Sequence, residues 1–178
     1  MIIPLILVII VIHNYLNIMK KILVIALLFS CTLGIAQTSL PEISLKDLSG
    51  KEIPLATLSE DKTIVVSLWA TWCVPCIREL DTIAEVYEDL QEEMNFELVA
   101  ISVDDARSTR RVKPAVMGKG WEYTVLLDPN NDVRRHLGNP NVPLTLILKN
   151  GKIVFRHSSF TPGAEDQLFE EFKQIAGE

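Results

Sequence analysis

The chain has 178 residues, about the length of one domain, and its mean hydropathy of +0.25 is high for a chain with 22% charged residues. The apolar excess lies in residues 1–36, which contain no Asp or Glu and only two basic residues, Lys20 and Lys21. Residues 37–178 carry 15 basic and 23 acidic side chains, so this part of the chain is acidic.

Basic residues are concentrated in one short stretch, which comprises Arg107, Arg110, Arg111 and Lys113. Asp104 and Asp105 come just before it, so the local charge is mixed. A nucleic-acid surface needs clustered positive charge that displaces phosphate counterions. The pattern instead favours a solvated helix face, and we expect no nucleic-acid partner.

Residues 1–36 have the organisation of a targeting segment. Lys20 and Lys21 precede a short apolar run, Ile22 to Phe29, and the small residues Gly34 and Ala36 stand where a signal peptidase cuts. The sequence therefore predicts a secretory signal or membrane leader over residues 1–36 and a mature domain over residues 37–178.

Three alternatives remain open for this leader. The run from Ile2 to Ile12 is interrupted by Pro4 and is short for a spanning helix, so Met19 is an alternative start to Met1. The leader is otherwise a retained membrane anchor, or a lipoprotein signal in which Cys31 carries the lipid. Phe29 fits a lipoprotein motif poorly.

Predicted strands and helices alternate along the domain. Glu42 to Leu45 and Glu52 to Leu55 flank a turn and form a hairpin, and Thr63 to Trp69 is a β-branched run typical of a buried strand. Apolar residues at helical spacing predict one long helix from Val74 to about Glu93. The remaining elements are a strand over 96–103, a helix over 106–119, a strand over 123–127, a short helix over 132–137, a hairpin of strands 144–148 and 152–156, and a final helix over 163–176. This order predicts a three-layer α/β sandwich with a mixed sheet.

The chemistry lies where the buried strand meets the long helix. Cys73 is placed at the helix start, where free N–H groups and the helix dipole favour a thiolate, the attacking species in disulfide exchange. Cys76 lies three residues on, within bridging reach, and Pro75 suits a first turn because it needs no N–H donor. We predict Cys73 as the nucleophile and Cys76 as the resolving thiol. A zinc site would need two further ligands, and the three histidines show no ligand spacing, so no metal or cofactor is expected.

The residues around this pair resemble the active-site signature of the TlpA/ResA-like branch of the thioredoxin superfamily, in the stretch Leu68-Trp69-Ala70-Thr71-Trp72-Cys73-Val74-Pro75-Cys76-Ile77-Arg78-Glu79. The resemblance covers about Pro41 to Ala176, including the N-terminal hairpin and the inserted helix and strand between Asp104 and Leu127. It implies a thioredoxin-like fold and thiol-disulfide oxidoreductase activity on protein disulfides. It also implies export to the periplasm or the outer face of a membrane, a possible membrane tether, and a transmembrane thiol reductant of the CcdA or DsbD type. Cytochrome c maturation is the best-known use of this branch.

The resemblance also assigns roles to individual residues. Val142-Pro143 resembles the cis-proline loop that faces the cysteines and offers backbone groups to an extended substrate. Trp72 is expected to shield the thiols and, with Pro75, to contribute to the substrate surface. Glu79 matches the glutamate that follows the motif, and its alternative is an ordinary helix-start acid.

Two positions depart from the pattern of the branch. Ser67 stands where thioredoxins carry a buried Asp, so the acid–base group must come from elsewhere, and Glu79 becomes the candidate. Asp81 stands where a helix-kinking Pro is usual, which leaves the bend of the helix open.

Three other functions compete with this interpretation. A peroxiredoxin-like peroxidase needs a Pro-x-x-x-Thr-x-x-Cys frame, but Val66 and Ala70 occupy the Pro and Thr positions before Cys73. A copper-binding protein of the SCO kind has three residues between its cysteines, and this chain has two. A redox-dead binding module would not need the intact cysteine pair.

Overall fold

The computed structural model describes residues 13–21, 39–60, 62–160 and 165–176. The chain divides into two compact units, Met1–Ala36 and Gln37–Glu178. In the first unit, residues 13–21 form helix α1. None of the described helices is both long and apolar enough to cross a membrane. The predicted cleavage site, the apolar run from Ile2 to Ile12 and Cys31 lie outside the described residues, so the leader assignment stays a prediction.

The second unit is built on a seven-stranded mixed sheet. Its strands are β1 (Ser44–Asp47), β2 (Glu52–Pro54), β3 (Thr63–Trp69), β4 (Phe96–Ser102), β5 (Thr124–Leu127), β6 (Leu144–Lys149) and β7 (Lys152–Ser158), in the spatial order β2-β1-β5-β4-β3-β6-β7. β3, β4 and β5 run parallel, whereas β6 is antiparallel to β3 and β7 is antiparallel to β6. The predicted N-terminal hairpin is β1–β2, which joins the sheet through β5.

The helices of this unit follow the predicted alternation with two corrections. They are α2 (Val74–Glu85), α3 (Tyr87–Met94), α4 (Val112–Lys119), α5 (Asp132–His136) and α6 (Glu165–Ala176). The expected helix over 106–119 starts later, because the Asp105 carboxylate accepts hydrogen bonds from the N–H groups of Arg107 and Ser108 and holds these residues in a turn. A 3₁₀ turn at Thr109–Arg111 then leads into α4.

The single long helix predicted over 74–93 is wrong, because the structure divides it at Val86. This residue has φ −119° and ψ 11°, outside the helical region, and α3 begins after it. The ring of Tyr87 packs edge-on against Tyr123 with centroids 5.8 Å apart, and its hydroxyl accepts a hydrogen bond from the N–H of Leu98 on β4. These tertiary contacts change the direction of the chain after α2. The periodicity of apolar residues along a helix gives no information about such contacts.

The core is centred on β3, the strand that leads into the cysteine motif. From Ile64 to Trp69 every residue of this strand is buried, as its apolar run predicts. Its parallel partner β4 pairs Ser102 with Trp69, so both strands end at the same edge of the sheet. The N–H of Val103 extends this pairing by donating to the Trp69 carbonyl at 2.8 Å. The cysteine motif therefore begins at the carboxyl end of the central strands.

Asp104 fastens the turn that precedes the cysteines. Its fully buried carboxylate accepts hydrogen bonds from the N–H and the hydroxyl of Thr71, at 2.8 and 2.6 Å, and from the Ser102 hydroxyl at 2.9 Å. Thr71 lies two residues before Cys73, so these bonds tie the approach to the helix to the end of β4. Bonds to an ionised acceptor are stronger than neutral ones.

Asp104→Ala should lower the free energy of unfolding by about 1–3 kcal/mol, because it leaves the buried hydroxyl of Ser102 and the half-buried donors of Thr71 without their partner. Urea unfolding of the oxidised protein measures the change. Asp89→Ala is the control, since Asp89 is exposed in the first turn of α3 and its removal should cost less than about 1 kcal/mol. Equal effects of the two substitutions would refute a structural role for the buried carboxylate.

Candidate active site

The two cysteines of the motif form a disulfide at the start of α2. Cys73 is the N-cap residue and Cys76 lies in the first turn, with their Cα atoms 5.3 Å apart. Cys73 is 5% exposed and Cys76 is fully buried. The predicted pairing of these residues is therefore present, and the structure shows the oxidised state of the protein.

The Cys73 sulfur already accepts a hydrogen bond from the helix. The N–H of Cys76 donates to Cys73 Sγ at 3.3 Å, as the side chain of an N-cap residue usually accepts from the first turn. Pro75 lies in the first turn, where a backbone N–H would have no acceptor within the helix, so its missing N–H costs no hydrogen bond. When the disulfide is reduced, this N–H and the helix dipole stabilise negative charge on Cys73 rather than on the deeper Cys76.

Apolar side chains flank the disulfide on its exposed side. Trp72 and Val74 are each 60% exposed, and Pro75 is also exposed. The shielding of the thiols by Trp72 stays a prediction, and most of the side chain's own surface is open to solvent. Large exposed apolar groups next to a reactive pair are typical of an interaction site.

The Val142–Pro143 peptide bond is cis, as the resemblance implies. Pro143 is buried, Val142 is half-buried, and β6 begins at the next residue. Because Leu144 pairs with Leu68 of the antiparallel β3, Pro143 lies level with the end of β3 and at the sheet edge where α2 begins. The backbone of the proline loop and the cysteine motif thus meet at one edge.

Glu79 is a buried acid and not an ordinary helix-start residue. It lies beyond the first turn of α2, in the same buried stripe as Cys76, Leu80 and Ile83, and is 1% exposed. Its Oε1 accepts hydrogen bonds from the hydroxyls of Thr145 on β6, at 2.5 Å, and Ser67 on β3, at 3.2 Å.

The environment of Glu79 favours its neutral form. Burial raises the pKa of its carboxyl above the ordinary value of 4.5, and the two hydroxyl bonds only partly oppose this shift. Oε2 is buried as well and has no hydrogen-bond partner among the described residues. The carboxyl can therefore take up a proton at Oε2 while Oε1 keeps its two hydroxyl donors.

Asp81, at the position where a proline is usual in the branch, joins α2 to residues near the end of α4. It accepts a hydrogen bond from Trp121 Nε1 at 3.0 Å and an ion-pair contact from Lys119 Nζ at 2.6 Å. Trp121 in turn packs edge-on against Trp69, with ring centroids 5.1 Å apart. α2 continues past Asp81 to Glu85, so the interruption of the helix falls five residues later than that position.

Thr145 was not among the predicted site residues. A single hydroxyl in the apolar run Leu144 to Leu148 is the signal that could have found it, just as Ser67 is the one polar residue in the buried part of β3, from Ile64 to Trp69. Ser67 pairs directly with Thr145 across the two strands, so their hydroxyls lie side by side and both donate to the Glu79 carboxyl. Within the described part of the chain, no cluster of three His, Cys, Asp or Glu residues could hold a metal ion.

Comparison with known proteins agrees with this chemistry. The AhpC/TSA family matches residues 36–158 of the chain. The thiol-disulfide oxidoreductase ResA of Halalkalibacterium halodurans is 30% identical over 132 residues, which cover 74% of this chain and 71% of that protein.

Solved structures share the fold. An uncharacterized thioredoxin-like protein from Porphyromonas gingivalis is 40% identical and superposes with a TM-score of 0.69, covering 80% of this chain and 93% of that one. A secreted thiol-disulfide isomerase from Corynebacterium glutamicum is 22% identical, has a TM-score of 0.64, and covers 78% and 86% of the two chains. The latter likeness shows the thioredoxin-like fold alone. The chain therefore belongs to the AhpC/TSA family and is a thiol-disulfide oxidoreductase of the ResA-like branch, with a thioredoxin-like fold.

Proposed function

We propose that this oxidoreductase reduces disulfides of exported proteins in the cell envelope, with Cys73 as nucleophile, Cys76 as resolving thiol and Glu79 as the proton acceptor for Cys76. The observation that carries the proposal is the buried carboxyl on the same helix stripe as the buried cysteine. A thiol that must ionise in the protein interior needs a base that is already there.

The reaction has two exchange steps. The Cys73 thiolate attacks a sulfur of the substrate disulfide, which forms a mixed disulfide and releases the first substrate thiolate. Cys76 then gives its proton to Glu79, and its thiolate attacks the Cys73 sulfur. This second attack forms the Cys73–Cys76 disulfide and releases the second substrate thiolate, so the substrate gains two electrons and the protein loses two.

The charges near Cys73 favour reduction over oxidation of substrates. A strong oxidant of this fold stabilises its first thiolate strongly, which makes the reduced form the lower state. Near Cys73 the favourable group is the start of α2, whereas an ionised Glu79 on the same helix opposes a second negative charge. A moderately stabilised thiolate is the property of a reductant.

The substrate surface proposed here combines exposed apolar groups with the proline loop. Trp72 and Pro75 contribute the apolar surface, and Val142, just before the cis-proline, offers its backbone groups at the same edge of the sheet. The Pro143 carbonyl already accepts a hydrogen bond from the Ser159 N–H at 3.2 Å. An extended segment of a partner protein around its disulfide fits such a surface. Specificity then depends on the apolar residues beside the partner's cysteine.

The cellular setting is part of the same proposal. The leader, with Lys20, Lys21 and the small residues at Gly34 and Ala36, supports export, with or without a membrane tether. A reductant that works in an oxidising compartment needs electrons from across the membrane, so the fitting partner is a transmembrane thiol reductant of the CcdA or DsbD type. Cytochrome c maturation is the use that we propose for these electrons.

Cys73→Ala should abolish the reduction of insulin disulfides, because the attacking thiolate is lost. Cys76→Ser should instead accumulate mixed disulfides through Cys73, and expression of this variant in the native envelope would trap the physiological substrates. Near wild-type turnover of the Cys73 variant would show that the nucleophile has been assigned wrongly.

Glu79→Gln should slow resolution by about 10²–10⁴-fold and leave the first attack nearly unchanged. Stopped-flow reaction of the reduced protein with dithiobis(nitrobenzoate) separates the steps, since each attack releases one coloured thiolate. Glu122→Gln, at an exposed position, is the matched control. An unchanged second phase would return Glu79 to a structural role, and a redox potential near −120 mV, as for DsbA, would reverse the proposed direction.

Glu79 should also make stability depend on pH. Burial raises the pKa of its carboxyl, so its contribution is fully present below about pH 4.5 and is lost as the pH rises through the raised pKa. The free energy of unfolding of Glu79→Gln relative to wild type should therefore increase with pH, by at most about 1.4 kcal/mol per pH unit. Urea unfolding of the oxidised proteins at several pH values measures this difference, and a flat or falling difference would contradict the burial argument.

A further inference from the structure

A row of polar side chains crosses three neighbouring strands at the place where Glu79 is buried. Ser67 of β3 pairs with Thr145 of β6, and Thr145 pairs with His157 of β7. Side chains of directly paired residues project from the same face of a sheet and lie about 5 Å apart. Since Thr145 binds the Glu79 carboxyl, His157 lies on the Glu79 side of the sheet and next to that site.

His157 stands between the buried carboxyl and the edge of the sheet. β7 is the last strand of the sheet, and burial alternates along it, so that His157 is half-buried while its neighbours Arg156 and Ser158 are exposed. The ring of His157 lies parallel to that of Phe155, with centroids 6.4 Å apart. His157 and Glu79 interact electrostatically, and a positive imidazolium stabilises the Glu79 carboxylate.

The buried acid needs a route for its proton. Once Glu79 has accepted the proton of Cys76, it must release that proton before the next cycle. Glu79 is 1% exposed, and the two hydroxyls that bind Oε1 cannot accept a proton permanently. Imidazole is the side chain that both accepts and releases protons near neutral pH.

We propose that His157 is a positioning residue that exchanges the Glu79 proton with solvent and holds Glu79 ready to act as a base. The inference rests on the proposed role of Glu79. At the start of a cycle the His157 imidazolium lies beside the Glu79 carboxylate. Cys76 gives its proton to Glu79, and the imidazolium releases its own proton to water. Glu79 Oε2 has no direct hydrogen-bond partner among the described residues, so Glu79 then passes its proton through a bridging water to the neutral imidazole, which restores the starting pair. Protons alone move in this exchange, and the electrons stay with the sulfur atoms.

The other groups that face Glu79 do not compete for this proton. Tyr123 interacts electrostatically with Glu79, but burial raises the pKa of its phenol, which therefore stays neutral, and its hydroxyl donates to the Leu80 carbonyl. Ser67 and Thr145 do not titrate in the relevant range. Cys76, on the same helix stripe, is the proton donor of the reaction itself.

Two substitutions separate proton exchange from packing. His157→Phe keeps a ring that can stack on Phe155 but cannot carry a proton, and His157→Gln removes the ring. Both should slow the second phase of the dithiobis(nitrobenzoate) reaction by about tenfold, less than the loss of the base itself, because a smaller fraction of Glu79 is ionised when Cys76 must give up its proton. Both should also shift the pH dependence of that phase to higher pH, because the imidazolium no longer favours the Glu79 carboxylate. Added imidazole should restore part of the rate of repeated turnover, in which Glu79 must release its proton in every cycle.

The controls distinguish a failure of the His157 inference from a failure of the proposed role of Glu79. His136→Gln, at a half-buried histidine on α5 whose Nε2 lies 3.1 Å from the Ser39 carbonyl oxygen, should resolve at the wild-type rate. The effect of His157→Phe should vanish in a Glu79→Gln background, because the two residues act in series. If Glu79→Gln slows resolution and the His157 variants do not, the His157 inference is overturned and the proposed function stands. If Glu79→Gln resolves at the wild-type rate, Glu79 is not the base, and the His157 inference is overturned together with that part of the proposed function. A wild-type rate in His157→Phe with a slow His157→Gln would reduce His157 to a packing residue.

Discussion

Two hydroxyl groups on adjacent strands hold the Glu79 carboxyl inside the interface between α2 and the sheet. Burial of an ionised carboxylate is costly unless it is paired with an opposite charge or well hydrogen-bonded. The two hydroxyls donate hydrogen bonds to one oxygen of Glu79 but supply no positive charge. Burial therefore still raises the pKa of the Glu79 carboxyl, which brings its protonated and ionised forms closer in free energy. That balance makes a buried carboxyl useful for moving a proton.

The same helix treats its two cysteines differently. Cys73, as the N-cap residue, accepts a hydrogen bond from the helix backbone and stands next to the exposed Trp72. Cys76 lies one turn deeper, in the buried stripe that also contains Glu79. Charge on the first sulfur is stabilised by the backbone and the helix dipole, whereas charge on the second requires a neighbouring base. The proposed order, attack by Cys73 and resolution by Cys76, matches these positions along one helix.

The sequence predicted the cysteine pair and the buried strand before it better than it predicted the helices that follow. The run of buried residues in β3 and the spacing of Cys73 and Cys76 are local signals, and the structure contains both features. The break at Val86 depends on the contact of Tyr87 with Tyr123, which lies far away in the sequence. Local periodicity does not contain such a contact.

The sequence indicated part of the reason why Glu79 is buried. Its place three residues after Cys76 indicated a shared helix face, and Leu80 and Ile83 marked that face as apolar. What the sequence lacked was the pairing of β3 with β6, which brings Ser67 and Thr145 together beneath the carboxyl. Without the donors, an acid in that stripe has no evident reason to be buried.

One strand register sets both parts of the site. The pairing of Leu68 with Leu144 places the cis-proline at the sheet edge where the cysteines lie, and the adjoining pair of Ser67 with Thr145 provides the donors for Glu79. A slip of one residue between β3 and β6 would turn Thr145 to the opposite face and displace Pro143 from the cysteine motif at the same time. In the proposed mechanism, substrate contact and proton transfer therefore share one structural constraint, the register between β3 and β6.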